Sequence, residues 1–173
     1  MAGDANDQVP LLHEAADDGH IAGFNATRSV PICFKRRTPL VIVFSGPNIA
    51  AAGNRYQDLD QTKTLIGEAR FDRQGRARTG QCNKGILRIY AAMDNGRLLG
   101  AEMCVPAGEH MAHLLALAID RSLTVQDLLR MPFYHPVLEE GLRTALRTLA
   151  AQLPAGNEYD LAACGEFNMG ALD

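Results

Sequence analysis

Hydrophobic and polar positions in the middle of the chain follow the two-residue period of β-strands. The run PLVIVF, residues 39–44, is unbroken and rich in β-branched residues, which favours a strand buried on both faces. IAAAG, from residue 49, extends or repeats this strand. Further strands are predicted for TLIGEARF from 64, ILRIYAAM from 86 and RLLGAEMCV from 97. The turn signal Asp94-Asn95-Gly96 joins the last two as a hairpin, so an antiparallel sheet is expected.

Helical spacing of the apolar residues replaces this alternation in the later part of the chain. Helices are predicted for HMAHLLALAIDRS from 110, TVQDLLRM from 124 and PVLEEGLRTALRTLAAQL from 136. Thr124 and Asp127 occupy the N-cap and N3 positions of the second helix. Strands followed by helices predict an α+β fold, with helices packed on an antiparallel β-sheet.

The N-terminal part is predicted to be a separate unit. LLHEAADDGHIAGFNA, from residue 11, has the pattern of a helix, which Gly19 and Gly23 weaken or end early. Pro31, Pro39 and the basic run at 35–37 are typical of a connector. The expected organisation is therefore an N-terminal piece at 1–30, a linker at 31–37, a compact domain at 38–153 and a tail at 154–173.

Composition excludes several classes of protein. The chain has 173 residues, of which 47% are hydrophobic and 21% charged, as in globular domains. A net charge of -3 makes nucleic acid an unfavourable partner, and no apolar run approaches the ~20 residues that cross a membrane. No two cysteines have the spacing of a metal or redox pair, so independent thiols and a cytoplasmic location are expected; they are Cys33, Cys82, Cys104 and Cys164.

The motif MPFYHPVLEEGLRTAL, residues 131–146, contains the clearest candidates for catalytic residues. Pro136 is expected in the first turn of a helix, which places His135 just outside it. Glu140, one turn into that helix, can hydrogen-bond one ring nitrogen and make the other more basic. The pair is therefore a candidate general acid/base. The alternative is a helix-capping histidine beside a solvated Glu139-Glu140 pair.

Two other clusters favour a structural interpretation. His110 and His113 have i, i+3 spacing but no third ligand at a suitable spacing, so no metal site is predicted. A basic cluster could contact an acidic partner or a phosphate, but a solvated strand edge is the favoured interpretation; its members are Arg70, Arg73, Arg76, Arg78 and Lys84. The apolar stripe of the helix at 110–122 is compatible with an interior position or with a dimer interface.

The segment from LLGAEMCVPAGEHMAHLL to MPFYHPVLEEGLRTAL resembles the C-terminal interface domain of the flavin-dependent pyridine nucleotide-disulfide oxidoreductases, and most closely that of dihydrolipoamide dehydrogenase. VIVFSGPNIAAAG and QGRARTGQCNKGILRIYAA are similar to the preceding strands of that domain. Gly3-Asp4 and the helix after it resemble the end of the FAD-binding domain. The resemblance covers roughly residues 3–152, and residues 1–30 are interpreted as a remnant of the FAD-binding domain.

The resemblance implies roles for particular residues. His135 would be the base that deprotonates a dithiol such as dihydrolipoamide, and Glu140 would hold it, in the active site of the other subunit of a homodimer. Asp4, Leu11 and Leu12 would contact the flavin, with the positive end of the helix near Leu11 directed at the flavin ring. The resemblance implies FAD and NAD(P) for the full-length enzyme, with a multienzyme complex as a further partner, and no cofactor is expected in this chain alone.

The sequence also departs from the family pattern. Val137 and Glu139 replace the usual threonine and serine, and the chain has neither a CxxxxC pair nor a GxGxxG fingerprint. A C-terminal piece of a longer flavoprotein, not redox-active alone, is therefore expected. The alternatives are a soluble pyridine nucleotide transhydrogenase and a stand-alone, non-enzymatic dimerisation module. Mercuric reductase is disfavoured, because its tail carries adjacent cysteines and Cys164 stands alone.

Overall fold

The computed structural model describes residues 2–6 and 9–153. The chain divides into two compact units, with the division between Arg37 and Thr38. The predicted tail at 154–173, with Cys164, lies outside the described residues. No helix in the described part of the chain is long and apolar enough to span a bilayer.

The first unit consists of a short 3-10 turn, Gly3–Asn6, and helix α1, Leu12–Ala26, followed by a segment without regular structure. The predicted helix is confirmed, but the early end at Gly19 or Gly23 is wrong. The segment after α1 folds back and binds it, since the Asn25 side chain hydrogen-bonds both the N–H and the carbonyl of Ile32, at 2.8 and 3.0 Å. Arg36 pairs with Glu14 and Asp18. These contacts with the following segment stabilise α1, so the helix continues past Gly19 and Gly23 despite the low helix propensity of glycine.

The second unit is built on an antiparallel sheet of five strands in the order β1-β2-β5-β4-β3. Its strands are β1 Leu40–Val43, β2 Asn48–Gly53, β3 Thr64–Arg70, β4 Ile86–Ala92 and β5 Leu98–Val105. Its helices are α2 Gly75–Thr79, α3 Gly108–Asp120, α4 Val125–Leu129 and α5 Glu140–Ala150. The predicted α+β class and the β4–β5 hairpin are confirmed.

Helices α3 and α5 pack on one face of the sheet. Leu87, Ile89 and Ala91 project from β4 into this core and are fully buried. From α5, Leu142, Leu146 and Leu149 are equally buried. Because the apolar surface lies between one sheet face and these helices, the position of α5 depends on its packing against β3 and β4.

The predicted burial of the first strand on both faces is wrong. β1 lies at the edge of the sheet and pairs only with β2. Leu40 and Ile42 pack against the core, whereas Val41 and Val43 are 42% and 50% exposed. The reason is that the helices cover a single face, so an unbroken apolar run has one face left over.

The basic cluster does not lie along a strand edge as predicted. Arg70 ends β3, but Arg73 lies in a 3-10 turn and Arg76 and Arg78 lie in α2. The β3–β4 connection is helical because the Gln74 side chain accepts a hydrogen bond from the N–H of Ala77, 2.6 Å away, and so caps α2.

Candidate functional site

His135 lies in the turn that connects α4 to α5, with its side chain 78% exposed. Its Nδ1 is 2.9 Å from Oε1 of Glu140, which is a hydrogen-bond distance. The peptide bond between His135 and Pro136 is cis. The two residues of the candidate pair are therefore brought together on the surface of the second unit.

Helix α5 begins at Glu140, so the predicted start at Pro136 is wrong. Residues 135–139 form turns, in which Oε2 of Glu140 accepts a hydrogen bond from the N–H of Val137 at 3.2 Å. The carbonyl of Leu138 accepts the N–H of Gly141 at 2.9 Å. The bond at Leu138 spans three residues, whereas the N–H of Arg143 binds the carbonyl of Glu139 four residues earlier, so the α-helical pattern begins after Leu138.

Glu140 is oriented by two donors, one for each carboxylate oxygen. The hydrogen bond from His135 is the main cause that holds the pKa of Glu140 below its usual value, with the N–H of Val137 adding to it and partial desolvation opposing it. Because an ionised carboxylate only accepts, the proton in the His135 contact is on Nδ1. Nε2 is then the ring nitrogen that can take up or release a proton.

The ring contact is made by Glu140, while Glu139 is the residue that immediately precedes α5. Of the two adjacent carboxylates, the one five positions after the histidine is the one within reach. The catalytic role of His135 and Glu140 stays a prediction, whereas their contact is a feature of the structure.

One residue of the site carries no signal in the sequence. Gln74, from the β3–β4 connection, donates its side-chain Nε2 to the carbonyl of Val137 at 2.6 Å. Phe71, three residues earlier, is fully buried, and a Cβ at Gly141 would lie 2.6 Å from its ring. These two contacts join the connection to the start of α5. No spacing rule relates Gln74 to Val137, since 63 residues separate them.

The residues predicted to contact a flavin are in the first unit. Asp4 is exposed on the 3-10 turn, which Asp18 of α1 holds by accepting from the N–H of Gly3 at 3.1 Å. Leu11 precedes α1 in an extended conformation, without a side-chain cap, and Leu12 is 87% exposed. The N–H groups of the first turn of α1 therefore have no side-chain acceptor at this N-cap, which suits a negatively polarised ligand. The roles of Asp4, Leu11 and Leu12 stay predictions.

The remaining histidines of the second unit lie on α3. His110 and His113 are exposed on α3, and Nδ1 of His113 is 2.7 Å from the carbonyl of Glu109. Among the described residues, no group of three or more histidine, cysteine, aspartate or glutamate side chains is placed to hold a metal ion. These polar side chains serve the surface of the helix.

Known proteins of similar sequence include dehydrogenases and reductases. The chain is 28% identical over 153 residues to the dihydrolipoyl dehydrogenase of Haloferax volcanii, covering 87% of this chain and 32% of that protein. It is 30% identical over 149 residues to the mercuric reductase of Shigella flexneri, covering 85% of this chain and 26% of that protein. The chain thus spans about a third or less of the length of these relatives.

Solved structures and the family profile agree with the fold. LpdA from Mycobacterium tuberculosis superposes with a TM-score of 0.74 at 25% identity, over 86% of this chain and 33% of that one. Residues 39–146 match the family described as pyridine nucleotide-disulphide oxidoreductase, dimerisation domain. This match covers more than half of the chain and includes the sheet, α3, α4 and the His135–Glu140 turn. The chain belongs to the dimerisation-domain family of the pyridine nucleotide-disulphide oxidoreductases.

Proposed function

We propose that the chain is the dimerisation domain of a flavin-dependent, dihydrolipoyl dehydrogenase-like oxidoreductase. In this proposal it supplies His135 and Glu140 to the dithiol/disulfide site of the partner subunit in a homodimer. The observation that carries the proposal is the 2.9 Å contact between Nδ1 of His135 and Glu140 on an otherwise exposed ring. A histidine that merely covers the surface has no need of a carboxylate that fixes its tautomer.

The proposed chemistry is proton transfer to and from a thiol. With Nδ1–H donated to Glu140, Nε2 takes the proton of a dithiol substrate, and the remaining thiolate is the form that attacks a disulfide. The positive charge that develops on the ring is balanced by the Glu140 carboxylate. In the reverse direction the same nitrogen returns the proton. The pair therefore serves both directions of the reaction without a change of residues.

The proposed cofactors are FAD and NAD(P), in the enzyme that carries this domain. Asp4 and the backbone at Leu11 and Leu12 would hold the flavin, which supplies two-electron transfer when bound. The uncapped N-terminus of α1 would favour negative charge beside it. The nicotinamide would be bound outside this chain.

The proposed substrate class is a small dithiol such as dihydrolipoamide, and assembly into a multienzyme complex would follow from it. Sequence identity alone supports several oxidoreductases similarly, since the dihydrolipoyl dehydrogenase and the mercuric reductase are 28% and 30% identical to the chain. What favours a dithiol is an exposed histidine base held by a carboxylate, because a dithiol must lose a proton before it can attack.

The test is the turnover of the flavoenzyme that carries this domain. His135→Gln should lower kcat for dithiol oxidation by about 10²–10⁴-fold, the usual contribution of a general base, and leave the flavin absorbance unchanged. Glu140→Gln should lower kcat in the same direction by less, since the base remains but loses its orienting charge.

Glu139→Gln is the matched control, because it removes the neighbouring carboxylate without removing the ring contact. It should retain wild-type turnover. Wild-type turnover in His135→Gln would remove His135 from the mechanism, and an equal loss in Glu139→Gln and Glu140→Gln would contradict the specific role of Glu140.

A further inference from the structure

The side-chain amide of Gln74 makes two hydrogen bonds that connect distant parts of the second unit. Oε1 accepts from the N–H of Ala77, and Nε2 donates to the carbonyl of Val137, both at 2.6 Å. One partner can only donate and the other can only accept, so the two contacts define which end of the amide is oxygen. The side chain thus caps α2 and binds the His135–Glu140 turn with opposite ends of one rigid group.

The backbone N–H and the carbonyl of Val137 are each hydrogen-bonded to a side chain. Glu140 accepts from its N–H at 3.2 Å, and Gln74 donates to its carbonyl. The Val137 side chain has no hydrogen-bonding group of its own, so the turn depends on main-chain partners. Glu140 therefore belongs both to the ring contact and to the turn, and movement of Val137 would move the carboxylate away from Nδ1.

The length of the side chain at position 74 is what permits the bridge. N-cap positions favour serine, threonine, aspartate and asparagine, whose short side chains reach the N–H groups of their own helix. Gln74 caps α2 from the same position, and its additional methylene group accompanies the second contact at Val137. A shorter side chain would be sufficient to cap α2 alone.

We infer that Gln74 is a positioning residue, which holds the turn so that Glu140 keeps His135 in the Nδ1–H tautomer with Nε2 available to the substrate. This inference rests on the proposed function of the pair. Gln74 acts through Val137 and Glu140 and does not contact the ring.

Two variants test the bridge in the flavoenzyme that carries this domain. Gln74→Asn keeps a capping amide that is too short for Val137, and Gln74→Glu keeps the acceptor for Ala77 but places a carboxylate oxygen at the Val137 carbonyl. Each should lower kcat for dithiol oxidation by about tenfold with little change in KM, as expected for a misplaced base. Gln81→Glu introduces the same charge on the same connection and should change neither constant.

The kcat of His135→Gln separates a wrong positioning role for Gln74 from a wrong proposed function. Wild-type kcat in both Gln74 variants, together with a large loss in His135→Gln, would overturn the positioning role alone. Wild-type kcat in His135→Gln would overturn the proposed function, and the inference with it.

A second measurement uses the 173-residue chain itself. The ¹⁵N chemical shifts of the His135 ring, assigned with His135→Gln, should report the Nδ1–H tautomer in the wild type and a mixture of both tautomers in Gln74→Asn. A purely structural role would lower the midpoint of thermal unfolding and leave the tautomer unchanged. That result would overturn the inference.

Discussion

At the scale of single residues, the candidate site depends on one carboxylate with two duties. Glu140 accepts from Nδ1 of His135 and from the N–H of Val137 with different oxygens. Both donors favour the ionised form of Glu140, so a negative charge lies beside Nδ1–H of His135. Loss of either hydrogen bond should therefore be detected as a change in the pKa of Glu140.

His135→Ala is expected to raise the pKa of Glu140 toward its ordinary value, because the largest favourable contact of the ionised form is lost. A lowered pKa in the folded state contributes stability above the unfolded-state pKa, about 4.3, and that stability is lost as the pH falls through the folded-state pKa. The acid-sensitive part of stability should thus be smaller in the variant.

The measurement is an NMR titration of the Glu140 carboxyl carbon. His110→Ala, an exposed histidine on α3, is the control and should leave the titration of Glu140 unchanged. An unchanged pKa in His135→Ala would contradict the contact between the two side chains.

At the scale of elements, α5 lies close against β3 at Gly67. A Cβ at this position would lie 2.3 Å from the carbonyl oxygen of Ala145 and 2.6 Å from a side-chain carbon of Leu149. The first of these is a backbone atom of α5, which cannot move without the helix. The packing of α5 against β3 therefore depends on the absence of a side chain at Gly67.

Gly67→Ala should therefore lower the free energy of unfolding by about 1–3 kcal/mol, the range for overpacking in a close-packed core. Gly75→Ala is the matched control, because a Cβ there has nothing within 4 Å and the residue begins a helix. It should leave stability unchanged or raise it slightly. Denaturant unfolding of both variants checks this, and equal stabilities would contradict the close approach.

The N-terminus of α4 provides a second prediction at this scale. Thr124 and Asp127 form a capping box, in which each side chain binds the backbone N–H of the other at 3.2 and 2.9 Å. Thr124→Ala should lower the free energy of unfolding by about 1 kcal/mol. Thr144→Ala, at an exposed position inside α5, should have little effect in the same denaturant titration.

The capping box also has a pH dependence of known sign. The backbone N–H of Thr124 is the main cause that lowers the pKa of Asp127. Its contribution to stability is therefore present above the unfolded-state pKa, about 3.9, and lost as the pH falls through the lower folded-state value. The difference in free energy of unfolding between the wild type and Asp127→Asn should narrow as the pH falls from neutral through that folded-state value. A difference that widened toward acid would contradict this assignment.

At the scale of the molecule, the second unit leaves apolar side chains uncovered on two sides. Val43 and Ile49 are register partners on the open face of the sheet, and both are 50% exposed. On α3, Leu115 and Ala118 are buried while Leu117 is 57% exposed. Exposed apolar side chains that lie together, as Val43 and Ile49 do, are typical of surfaces that another protein covers.

The chain is expected to form a dimer in solution, with the outer side of α3 in the interface. Leu117→Glu should shift the equilibrium toward monomer, because a charge would be buried without a partner. Leu12→Glu places the same substitution at a more exposed leucine of the first unit and should leave the dimer intact. Sedimentation equilibrium measures both. A wild-type chain that stayed monomeric at high concentration would contradict the proposed homodimer.

Local patterns in the sequence predicted much of this molecule. The two-residue period identified β1, β3, β4 and β5 and left open whether β2 was a separate strand, and the helical period identified every helix except α2. The turn at 94–96 and the capping box at Thr124 were confirmed. The five-residue spacing predicted a contact between His135 and Glu140, and the structure contains this contact. These features depend on side chains and backbone groups within about one turn or one hairpin, so a short stretch of sequence contains their causes.

Tertiary packing decided the remainder. The exposure of one face of β1 and the bridge from Gln74 to Val137 each depend on segments far apart along the chain. The edge position of β1 follows from the order of the strands in the sheet. The partner of the Val137 carbonyl is 63 residues away. Such contacts form only when the core brings distant elements together, because no local periodicity records which surface a side chain will meet.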